Sequence, residues 1–69
     1  MFLRIELDDS DMVLGAVTDA KRVADQLNCN VKVKVDGEWL YLWANAPMDI
    51  PGAIQAHREM AKRLRAAAL

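Results

Sequence analysis

Cysteine, histidine, proline and glycine are all scarce in this chain, and each scarcity removes an explanation. Cys29 is the single cysteine, so no internal disulfide braces a chain of 69 residues. At that length the core is small and the stability margin thin. Cys29 and the single histidine, His57, cannot complete a tetrahedral metal site, and no metal or other cofactor is expected. With three glycines and two prolines there is no glycine-rich phosphate loop and no flexible linker. Paired catalytic carboxylates and triad elements are equally missing, and no motif ties the chain to a family. Neither charge sign dominates: nine Lys and Arg stand against ten Asp and Glu, so whole-molecule attraction to nucleic acid or anionic lipid is not expected. No apolar run approaches the length of a membrane span. The start, MFLRIELDDSD, lacks the basic opening and long apolar run of a secretory signal. A cytoplasmic protein is expected, in keeping with one free thiol.

Apolar side chains, by contrast, are plentiful, at 54% of residues. Either the core is unusually well filled or part of that surface meets a partner. Charge is also unevenly spread. Acids outnumber bases up to Asn28, and Arg58, Lys62, Arg63 and Arg65 reverse the balance from Asp49 onward.

The pattern of apolar residues predicts one domain, 1–69, of the α/β (α+β) class with element order β-α-β-β-α. Phe2 to Leu7 alternates, with Leu3, Ile5 and Leu7 on one face and Arg4 and Glu6 on the other, as a half-buried strand does. Asp8, Asp9, Ser10 and Asp11 offer side-chain oxygens to cap a following helix. From Met12 to Leu27 a stripe runs through Val13, Ala16, Val17, Ala20, Val23, Ala24 and Leu27, and Asn28 is a plausible stop. Asn30 to Ala44 predicts a hairpin with Asp36-Gly37 as its turn. After the loop Asn45–Met48, Asp49 caps a second helix with Pro51 in its first turn. Its stripe is Ile50, Ala53, Ile54, His57, Met60, Ala61, Leu64 and Ala68. A right-handed crossover through the first helix makes the first two strands parallel. The simplest assembly is a two-layer sandwich, a three-stranded mixed sheet with both helices on one face. A second helix on the opposite face is the alternative.

The hairpin register decides where function can sit. A two-residue turn places Val35 opposite Glu38, Val33 opposite Leu40 and Val31 opposite Leu42, all toward the core. Trp39, Tyr41 and Trp43 then share the outer face with Lys32, Lys34 and Arg4. Large aromatics left in water on a small domain are an unusual patch. Three meanings compete for it. One is protein contact, including a symmetric homodimer; another is nucleic-acid binding by base stacking and phosphate contacts. The third is plain core, if a bulged three-residue turn shifts the register or a helix covers this face.

Arg58, Lys62 and Arg65 share one side of the second helix and form a secondary basic patch, with dipole complementation and solvation as the simpler account. His57 lies in an apolar stripe with no nucleophile or carboxylate partner legible nearby. It reads as a neutral ring bonded to backbone, or as an edge meeting another subunit. The three aspartates before the first helix lack the glycine and distal glutamate of a calcium loop, so capping explains them. Cys29 has no basic neighbour and reads as a small inert hydrophobe. The expectation is therefore a non-enzymatic protein-binding module of adaptor or inhibitor type that acts through the aromatic and basic sheet face and self-associates, with a homodimer expected. The alternative is a nucleic-acid-binding module using that face and the basic helix flank.

Overall fold

The structure, a computed structural model, describes residues 2–7 and 12–68. Five elements follow in order: β1 (Leu3–Glu6), α1 (Val13–Leu27), β2 (Val31–Val35), β3 (Glu38–Leu42) and α2 (Ile50–Ala67). The strands form one mixed sheet in the order β1-β2-β3, with β1 parallel and β3 antiparallel to β2. Both helices cover the same face. Val17, Ala20 and Ala24 of α1 and Ile54 of α2 close over Val31, Val33, Val35 and Leu42.

Local chemistry explains the joints. Asp36 and Gly37 both take positive φ, 54° and 84°, the conformation whose twist matches that of the flanking strands. Val35 therefore pairs with Glu38, Val33 with Leu40 and Val31 with Leu42, and no bulge shifts the register. At the end of α1, Asn28 is left-handed (φ 50°, ψ 45°). The Cys29 and Asn28 amides fold back onto the Ala24 and Asp25 carbonyls, satisfying acceptors the helix leaves open. Asp49 caps α2 by accepting from the Gly52 amide, and Pro51 fits the first turn, where no amide is needed. Met12 holds the N-cap position of α1 without a side-chain cap. The run Asp8, Asp9, Ser10 and Asp11, expected to cap this helix, lies outside the described residues.

Both helical stripes are narrower than their periodicity predicts. In α1 the buried residues are Val17, Ala20, Lys21 and Ala24, while Val23 and Leu27 are exposed. In α2 they are Ile54, His57 and Ala61, with Met60, Leu64 and Ala68 exposed. The cause in α2 is length. His57 is level with the hairpin turn, whose Val35 and Glu38 carbonyls it touches. The remaining ten residues of the helix advance about 15 Å beyond that level at about 1.5 Å each. Beyond Ala61, which is still fully buried, they outrun the sheet. Leu3, expected inside, is also exposed, and Ile5 and Leu7 are half-buried.

Candidate functional site: the outer sheet face

Strand alternation builds the outer face. Residues that flank the inward Val31, Val33, Val35, Leu40 and Leu42 must point away from the helices. These are Lys32 and Lys34 on β2, Trp39 and Tyr41 on β3, and Arg4 and Glu6 on β1. Phe2 and Trp43 extend the same pattern just outside the strands. All six residues singled out in the sequence as partner-binding lie on this one face. Tyr41 is 46% and Trp43 54% exposed, while Trp39, Lys32 and Phe2 are half-buried.

The face has two parts. At one end Phe2 meets Tyr41 and Trp43 edge-on, with ring centroids 5.4 and 5.2 Å away, and Tyr41 and Trp43 lie near-parallel at 6.4 Å. Edge-to-face contacts of this kind stabilise by about 0.5–1.5 kcal/mol beyond area burial, so three rings act as one apolar surface. At the other end the Lys32 and Lys34 ammonium groups lie 4.7 and 5.6 Å from the centre of the Trp39 ring. Attraction to the ring's electron-rich face holds both there, and Lys34 also approaches Glu6 at 3.9 Å.

Polar residues that sequence reasoning passed over anchor the Trp43 end. Lys21 is buried on α1, and its ammonium donates to an Asp25 carboxylate oxygen at 2.6 Å and to the Trp43 carbonyl at 3.0 Å. Asp25 also accepts from the Asn45 amide at 2.7 Å, and Asn30 accepts from the Ala44 amide at 2.9 Å. The Asn45 side chain in turn donates to Asn28. The hydrogen bond from Lys21, followed by that from the Asn45 amide and the charge of Lys21, holds the Asp25 carboxyl below its ordinary range. This network ties the end of α1 to the chain leaving β3 and so sets the Trp43 backbone. The available signal was position: Lys21 sits between Ala20 and Ala24 on the buried stripe and four residues before Asp25.

The secondary basic patch is a separate site. Arg58, Lys62 and Arg65 line an open groove of ≈ 610 Å³ beside α2, floored partly by Val13, Leu14 and Ile54. Arg58 reaches Asp36 at 3.5 Å, and Glu59 brings a second acid to the rim. The groove lies on the helical side of the sheet, so the fold does not join it to the aromatic face. His57 is used structurally: its buried Nε2 donates to both the Val35 and Glu38 carbonyls at 3.0 Å, clipping α2 to the hairpin turn. Among the described residues no group of His, Cys, Asp or Glu could hold a metal ion, and no helix is long and apolar enough to cross a membrane. Comparisons of the chain with protein-family models, with curated proteins and with solved structures gave no match.

Proposed function

We propose that the protein is a small non-enzymatic binding module, of adaptor or inhibitor type, that docks its outer sheet face on another protein in the cytoplasm. The observation that carries this is the Phe2–Tyr41–Trp43 surface, half open to water on the sheet face that neither helix covers. Tyr and Trp are the side chains most enriched among the few that dominate protein interfaces. Lys32, Lys34 and Arg4 surround them as a cationic rim suited to an apolar segment flanked by acids. Nucleic acid is the less well supported ligand. The chain carries nine Lys and Arg against ten Asp and Glu, so no general attraction to phosphate supports it. The basic flank that would extend such a site faces the other way.

Peptides selected from a random display library on the folded wild-type protein test this. The expected binders carry apolar and acidic residues, lose at least about tenfold in affinity against Tyr41→Ala and Trp43→Ala, and change little with salt. A labelled oligothymidylate serves as the contrasting probe. Binding of that probe, weakening steeply as salt rises because counterions are released, overturns the protein-docking assignment. So do selected peptides that bind both variants as well as the wild type.

A further inference from the structure

The two edges of the sheet are not equally covered. α1 lies across β2 and β3 and approaches β1 least, so the flank of α1 turned toward β1 has little to pack on. Leu14 identifies that flank by contrast, because it lines the groove shared with α2. Val23 comes nine residues later, and at about 100° per residue it points about 180° away from Leu14. Val23 is 38% exposed, Leu27 on the same side 63%, and Leu3 on β1 41%. Together they leave an apolar strip along the β1 side of the helical layer.

The strand beside that strip is an open edge. Successive residues of a strand direct their amide and carbonyl groups to opposite sides. Leu3 donates to the Asn30 carbonyl at the start of β2, so Leu3 and Ile5 are spent on β2. Arg4 and Glu6 therefore present their backbone groups at the other edge, where no strand pairs among the described residues. β1, Leu-Arg-Ile-Glu, is short and charged, two of the features that blunt a natural edge, but it carries no lysine, proline or bulge. What it has is one base and one acid placed symmetrically about Ile5.

We propose that β1 pairs antiparallel with β1 of a second copy of this chain, about a two-fold axis at Ile5. In that register Arg4 faces Glu6 of the second copy and Glu6 faces its Arg4. Each of those pairs exchanges two backbone hydrogen bonds and sets opposite charges side by side. Among the described residues Arg4 has no such partner: its neighbour across the sheet is Lys32, and no described carboxylate lies within ion-pair distance of it. On the inner face Leu3 falls opposite Leu7 of the second copy, and the strip of Leu3, Val23 and Leu27 comes to lie at the seam. The product is a continuous sheet of six strands. The seam draws Arg4 out of the rim of the aromatic face, whose Tyr41 and Trp43 stay open on both copies.

Sedimentation equilibrium of the full chain, with circular dichroism to verify folding, tests the pairing. The wild type is expected to dimerise. Arg4→Glu and Glu6→Arg each turn two attractive pairs into two repulsive ones and should raise the dissociation constant at least about tenfold. Mixed in equal amounts, one variant brings two acids and the other two bases, so the mixture should recover dimers of wild-type affinity. A wild type that stays monomeric, single variants that dimerise unchanged, or a mixture that does not reassociate overturns the proposal. Trp43→Ala separates this surface from the aromatic one. It should lose selected peptides and keep the dimer; dissociation by Trp43→Ala with both charge variants dimeric would move the axis to the outer face and sink the β1 pairing.

Discussion

Leu42 and Trp43 are adjacent in the chain and lie on opposite faces of the sheet, so truncating each to alanine should give very different losses. Leu42 is fully buried among the valines of β2 and the α1 stripe. Removing its side chain should cost about 2–5 kcal/mol, from lost transfer energy and the cavity left behind. Trp43 is 54% exposed and loses chiefly its contacts with Phe2 and Tyr41. An edge contact of that kind is worth about 0.5–1.5 kcal/mol, so the total for Trp43→Ala should be about 1–2 kcal/mol. A domain of this size has about 3–10 kcal/mol in all. Leu42→Ala therefore threatens the fold, while Trp43→Ala leaves it standing for binding assays. Urea unfolding followed by far-ultraviolet circular dichroism measures both, with the slope expected to stay constant so that midpoints compare directly. In thermal unfolding each kcal/mol should appear as about 4–8 °C. If Trp43→Ala loses as much stability as Leu42→Ala, the ring is part of the core and the outer face is not a docking surface.

Two further outcomes follow from the polar contacts. His57→Leu keeps an apolar side chain under the hairpin turn and removes the Nε2 donor; because the Val35 and Glu38 residues still pair with each other across the hairpin, the loss should be modest, about 1 kcal/mol. Faster amide exchange at the turn should accompany it, and a variant more stable than wild type would show that the clip contributes nothing. Asp25 titrates below its ordinary value because Lys21 and the Asn45 amide favour the carboxylate. Its contribution is therefore complete above the unfolded-state pKa, near 3.8, and is lost as pH falls through the lower folded value. The stability gap between wild type and Asp25→Asn should accordingly narrow when urea midpoints are compared at about pH 6 and about pH 2, and a gap independent of pH would refute the assignment.

The candidate face was legible because strand chemistry is local. Val31, Val33 and Val35 alternate with lysines, Asp36-Gly37 favours a two-residue turn, and a side-chain period of two then sends Trp39, Tyr41 and Trp43 to one side; the bulged alternative fell only to the observed register. The buried Lys21 was not legible. Its charge suggests solvent, and only the Trp43 carbonyl and Asp25, the former just past the end of β3 and 22 positions away, make burial tolerable. His57 lies between these cases: its place on the apolar stripe suggested either a backbone partner or an edge meeting another subunit, and the fold supplied the Val35 and Glu38 carbonyls.

By itself the sequence determined the order of elements and the stop near Asn28, since both depend on backbone preferences and neighbouring side chains; it left two hairpin registers open, and the structure selected the two-residue turn. Tertiary structure decided how much of each helical stripe is covered. Periodicity says which residues share a flank, whereas burial depends on where the helix axis crosses the sheet and how far it runs. α1 sits over β2 and β3, so Val23, Leu27 and Leu3 are left in water beside β1; α2 passes the hairpin turn, so Met60 and Leu64 follow it out. The same placement put Arg58, Lys62 and Arg65 on the side away from the aromatic face, because a helix layer and the opposite face of its sheet cannot present one surface.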